Sequence, residues 1–121
     1  MQKPKVHILD YSSHRQALYV HYLEQAGYVV EALDKRKGKP VLSVDSFCLV
    51  ASLPDNHIER AGVIKMLSGM GSLKPLFVLD SVGFSHQDFL GMELVGHINR
   101  RTLSLLQTLT ELTNSLNNFL K

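Results

Sequence analysis

The feature that most constrains this chain is a series of short, nearly unbroken apolar runs, each closed by polar residues or glycine. Residues 75–79 read Pro-Leu-Phe-Val-Leu and lead into Asp80-Ser81, residues 46–51 read Ser-Phe-Cys-Leu-Val-Ala, and residues 6–9 read Val-His-Ile-Leu before Asp10-Tyr11-Ser12-Ser13. A strand with no polar alternation must be covered on both faces, which is the situation of a parallel sheet. Helical spacing fills the intervals. Residues 14–26 carry Ala17, Leu18, Val20, Tyr22, Leu23 and Ala26 on roughly one side and stop at Gly27. Strands are predicted at 6–9, 28–33, 46–51, 75–79 and 93–96, and helices at 14–26, 58–67, 85–90 (short) and 100–120 (long). Strand and helix alternate, so the prediction is one doubly wound α/β domain over residues 1–121, with five parallel strands in the order 2-1-3-4-5. About a dozen residues separate the second and third strands, close to the minimum for a right-handed crossover. They include Gly38 and Pro40, so the second helix is expected to be shortened or missing.

Composition narrows the function. A chain of 121 residues, 45% hydrophobic and 20% charged, supplies one core and excludes a two-lobed enzyme, a disordered chain or a coiled-coil rod. The single cysteine, Cys48, lies in an apolar run. It excludes an internal disulfide and a cysteine zinc cluster, and points to a buried, inert thiol and to the cytoplasm. No apolar run reaches the ~18–20 residues of a membrane span. The first residues pass directly into a strand pattern without a signal-peptide core. The six histidines (7, 14, 21, 57, 86 and 97) show no i,i+4 pair. His14 and His21 stand about 10 Å apart along a helix, too far to share one ion, so no metal is expected. The basic run Lys35, Arg36, Lys37 and Lys39, with Arg100 and Arg101, lacks interleaved aromatics, and the net charge is only +2. These residues read as solvated positions, not as a nucleic-acid site. Gly69-Met70-Gly71-Ser72 precedes a strand instead of a helix and lacks the downstream Lys-Ser/Thr pair. Without the Lys-Ser/Thr pair of a phosphate loop it is a turn, and no cofactor is expected.

Ile8-Leu9-Asp10-Tyr11-Ser12-Ser13-His14-Arg15 through Leu23-Glu24-Gln25-Ala26-Gly27-Tyr28 resembles, without a gap, the first strand–helix unit of response-regulator receiver domains of two-component signalling. Leu53-Pro54-Asp55 is similar to that family's turn after the third strand, and Lys74-Pro75-Leu76-Phe77-Val78-Leu79 to its fourth strand. The resemblance implies a Mg²⁺ site built from two carboxylates after the first strand and an acceptor aspartate ending the third. It also implies a hydroxyl ending the fourth strand and a lysine ending the fifth, which neutralise the transferred phosphoryl oxygens.

At those places the chain keeps only Asp10. Tyr11 replaces the second acid, and the acceptor place falls on Val50, Ala51 or Ser52. Asp80, followed by Ser81, takes the hydroxyl place, and His97-Ile98 the lysine place. The resemblance therefore implies a degenerate receiver, or pseudo-receiver, that is not an enzyme and cannot be phosphorylated. Such domains occur at the N-terminus of transcriptional regulators and within hybrid histidine kinases of bacteria, and they act through protein contact or dimerisation.

The last helix supplies the expected contact. Leu105, Leu109, Leu112, Leu116 and Phe119 recur at spacings of 4, 3, 4 and 3, the seam of a helix that packs along one line. At about 20 residues, or ~30 Å, this helix would overhang the sheet. Residues 110–121 are then an extension toward a homodimer partner or a next domain, with the fifth strand and its flanking helices as the contact face. The alternative is a small flavodoxin-like ligand-binding protein or enzyme that uses Asp10, Asp80 and His97 at the strand ends.

Overall fold

The computed structural model describes residues 5–33, 46–69, 75–81, 89 and 93–120. Among them run β1 (Lys5–Asp10), α1 (Ser13–Gln25), β2 (Val29–Ala32), β3 (Ser46–Ser52), α2 (His57–Gly69), β4 (Pro75–Asp80), β5 (Glu93–Asn99) and α3 (Leu105–Leu120). The five strands form one parallel sheet in the order β2-β1-β3-β4-β5, as the apolar runs predict. Both faces are covered. Val6, Ile8, Tyr19, Leu23, Cys48, Val50, Phe77, Leu79, Leu112 and Leu116 pack on the α1/α3 face. Leu9, Leu49, Ala51, Leu53, Val63, Leu67 and Val78 pack on the α2 face. Burial pushes the Cys48 thiol up to about 12, which leaves it protonated at neutral pH. Residues 34–45 between β2 and β3, with the basic run Lys35–Lys39, the expected helix at 85–90 apart from the buried Phe89, and the turn at Met70–Ser72 lie outside the described residues.

Local chemistry fixes the element ends. Ser12 caps α1 by accepting a hydrogen bond from the Arg15 amide at 3.2 Å. The helix stops where Gly27 takes a φ of 98°. There the Gly27 amide donates to the Glu24 carbonyl at 3.0 Å and the Tyr28 amide to the Leu23 carbonyl at 3.1 Å, closing the last turn as a Schellman motif. The side chain of Asn56 caps α2 through the amides of Ile58 and Glu59, both at 3.0 Å.

Two expectations are corrected. β5 continues to Asn99 instead of ending at residue 96, because the register shifts between its pairing of Leu94 with Leu76 and of Gly96 with Phe77. The last helix begins at Leu105, not at residue 100. Ser104 and Gln107 form a reciprocal cap, with the Gln107 amide on Ser104 Oγ at 3.1 Å and the Ser104 amide on Gln107 Oε1 at 2.8 Å. At sixteen residues the helix lies along the sheet to its end. Leu109, Leu112 and Leu116 are core, and Phe119 meets Phe47 at a tilt and Phe77 edge-on, at ring-centroid distances of 5.2 and 5.7 Å. The leucine seam therefore packs against the domain's own sheet, and the expected overhang beyond residue 110 is not formed through Phe119. Tyr28 fastens the same helix by donating to Asn117 Oδ1 at 2.7 Å.

Gly96 marks the closest approach in the sheet. A Cβ there would stand 2.5 Å from Cδ1 of Phe77. Gly96→Ala is expected to destabilise the domain by about 1–3 kcal/mol through overpacking, read as a lower urea midpoint. Combining it with Phe77→Leu should cost less than the sum of the two single changes.

Candidate functional site

Parallel strands bring all their C-terminal ends to one edge of the sheet, and there β1, β3 and β4 end on Asp10, Ser52 and Asp80. Asp10 stands opposite Ser52 in the register, and Asp80 opposite Asn99. Of the three residues that could mark the end of the third strand's site, Val50 and Ala51 point into the two cores, and Ser52 alone belongs to this edge.

Both aspartate side chains are fully buried, and each meets an arginine. The Arg15 guanidinium engages Asp10 through both oxygens, Nε to Oδ2 at 2.6 Å and Nη2 to Oδ1 at 2.9 Å, while the Ser12 amide donates to Oδ1 at 2.8 Å. Hydrogen bonding to Asp10 holds the Arg15 pKa above its usual value against the opposing effect of burial. Arg60, from α2, places Nη1 2.5 Å from Oδ1 of Asp80, which also accepts from the Ser81 amide at 2.9 Å. Bidentate or short charge-assisted contacts of this kind are strong and directional.

A third arginine sits across the end of β3. The Arg100 amide donates to the Asp80 carbonyl at 2.7 Å, which aims the side chain back over the sheet. Its Nη1 donates to Ser52 Oγ and to the Leu79 carbonyl at 3.3 Å, and its Nη2 to the Leu53 carbonyl at 2.6 Å. The guanidinium thus ties the ends of β3 and β4 together from β5. Asp55 stands 3.9 Å from Nη2 and accepts from the Ser81 hydroxyl. Beneath lies Tyr19, fully buried, with a hydroxyl that faces Ser52 without a regular hydrogen bond. Burial raises its pKa, and the charge of Asp10 adds to this, while Arg100 and Arg15 oppose it. Tyr11 is partly exposed and donates to Glu59 at 2.6 Å, the main cause of its raised pKa. Among the described residues, Asp55, Ser81, Arg100 and Arg101 line an open depression of about 530 Å³ at this edge.

His97 pairs with Val78 within β5 and is exposed, two residues before the position opposite Asp80. The cation that reaches the end of β3 is Arg100, not a residue at 97, because the longer β5 carries the chain three residues further. Among the described residues no three His, Cys, Asp or Glu side chains gather closely enough to hold a metal ion, so Asp10, Asp80 and His97 do not form a triad. Sequence reasoning missed Arg15, Arg60 and the role of Arg100. Only Arg15 carried a local signal, an arginine one helical turn beyond the cap, beside a strand-end aspartate.

No protein-family model matches the chain, and no curated protein matches it in sequence. Solved structures do match. A response regulator receiver protein from Pseudoalteromonas atlantica aligns at 12% identity with a TM-score of 0.65, over 96% of this chain and 99% of that one. FixJ-N aligns at 16% identity with a TM-score of 0.66, over 97% and 93%. The chemotaxis protein CheY4 of Vibrio cholerae aligns at 19% identity with a TM-score of 0.58, over 93% and 98%. The chain therefore has the receiver-like, flavodoxin-like fold over nearly its whole length. No helix among the described residues is long and apolar enough to cross a membrane.

Removing one partner from a buried pair leaves an uncompensated charge. Arg15→Ala is expected to destabilise the domain by about 2 kcal/mol, less than a fully enclosed pair would lose because the arginine is partly open to water. Asp10→Asn combined with Arg15→Ala should recover part of that loss in a denaturation double-mutant cycle.

Proposed function

We propose that this chain is a receiver-like signalling module of a two-component regulator or hybrid sensor kinase, a cytoplasmic domain that acts through protein contact without accepting a phosphoryl group. One observation carries the reading: β3 ends on Ser52, whose hydroxyl is held by Arg100, where phosphotransfer would require a carboxylate to form an acyl phosphate. Supporting it, the oxygens of Asp10 are already engaged by Arg15 and the Ser12 amide. A hard cation such as Mg²⁺ wants several free oxygen ligands, and here guanidinium groups supply the neutralising charge instead.

The contact face is the part of the α3/β5 side that the core leaves outside. Of the predicted seam, Leu105 is 40% and Phe119 38% exposed, and Leu106, beside Leu105, is 64% exposed. A second copy of the chain or the next domain of a longer protein would cover them. The alternative of a strand-end enzyme loses its support with the dispersal of Asp10, Asp80 and His97.

Incubation with a small phosphodonor and Mg²⁺, followed by intact-mass measurement, is expected to leave the mass unchanged. A stable gain of about 80 Da, the mass added by one phosphoryl group, that is lost on treatment with hydroxylamine would overturn the reading.

A further inference from the structure

Charge is spread unevenly along this chain. Charged residues make up 20% of the whole, yet residues 102–120 hold a single charged side chain, Glu111. Apart from that acid, the exposed residues of α3 are neutral, and Leu106, Gln107, Thr110, Asn114 and Asn118 make up most of its outer side. The other helices differ: α1 exposes His14, His21 and Glu24, and α2 exposes His57 and Lys65. A helix open to water ordinarily carries charges on its outer side, whereas depletion of charge marks a surface that another protein covers. Covering this one strands few polar groups. The Thr110 hydroxyl already donates to the Leu106 carbonyl at 2.9 Å, and the Thr113 hydroxyl to the Leu109 carbonyl at 2.8 Å, so neither donor depends on water.

The placement of the nearest charges selects the partner. A two-fold contact sets a surface against its own copy, so a face rich in one sign of charge would repel itself, and a neutral face does not. The two charges that flank this face are of opposite sign, Arg101 just before the helix and Glu111 within it, and both are exposed. Leu106 lies midway between them in sequence and is 64% exposed.

We propose that a second copy of this chain covers the outer side of α3, the two helices running antiparallel about a two-fold axis near Leu106. Arg101 then meets Glu111 of the partner subunit, and the same pair forms again on the other side of the axis, while Leu105 and Leu106 leave water at its centre. The proposal rests on the contact face described under the functional reading and names what occupies it. A contact one helix wide falls short of the ~800 Å² per partner of a standard interface, so the dimer forms reversibly.

Light scattering on the whole chain, over a series from about 10 μM to about 1 mM, tests this. The molar mass is expected to rise with concentration from that of one chain toward that of two. Arg101→Glu and Glu111→Arg are each expected to weaken the dimer about tenfold or more, because two attractive pairs become repulsive in every dimer. Joining the two reversals is expected to restore it. Leu106→Ser, a surface change that involves no charge, is expected to weaken it as well. The mass of one chain throughout the series, or a dimer indifferent to both single reversals, would overturn the proposal. One-chain mass would leave the signalling-module reading standing, with the next domain of a longer protein as the cover, whereas an acyl phosphate formed from a phosphodonor would overturn that reading and leave the dimer standing.

Discussion

Asp10 and Asp80 end two strands of a sheet covered on both faces, and their side chains are shut away from water. A carboxylate moved into such a place carries a large desolvation cost unless it is paired. The C-terminal edge is organised around that requirement. Arg15 comes from the first turn of α1 and Arg60 from α2, so the same contacts that neutralise the acids also seat two helices against the strand ends. Arg100 completes the edge by bridging β3 and β4 from the end of β5. The connection from Arg100 to Ser104 then places the start of α3.

The rest of the molecule follows from burial. α3 returns antiparallel to the strands and lays Leu109, Leu112 and Leu116 on the face that α1 shares. Fully burying a leucine contributes on the order of 1.5–3 kcal/mol, enough for the sheet to compete with an external partner for this seam. Of the outer remainder, Leu105 and Leu106 sit at the helix start, close in sequence to Arg100, and Phe119 near the helix end. The arginine contacts tie α1, α2 and the end of β5 to the C-terminal edge.

The fold was largely legible in the sequence, because unbroken apolar runs at 46–51 and 75–79 admit few arrangements other than a covered parallel sheet. The seam of the last helix was legible as a stripe but not as to what it faces, since periodicity is the same for a core and for an interface. The overhang was inferred from a helix start at residue 100, and the Ser104–Gln107 cap moves that start by a turn and more. The site was half legible. Asp10, Ser52 and Asp80 stand where the strand pattern put them, but their arginine partners are spread over residues 15, 60 and 100, and only the register and the helix orientations bring them together. Arg100 was hidden behind an early end for β5, because a bulge near Val95 breaks the strand pattern.

Guanidinium groups hold the strand-end carboxylates Asp10 and Asp80. Titrating Mg²⁺ into the whole chain while following its amide resonances tests this most directly. The account predicts no saturable shift at Asp10, Ser12 or Ser52 at millimolar Mg²⁺ in the unaltered protein. Saturable shifts at those residues, with release of the Arg15 side chain, would contradict it.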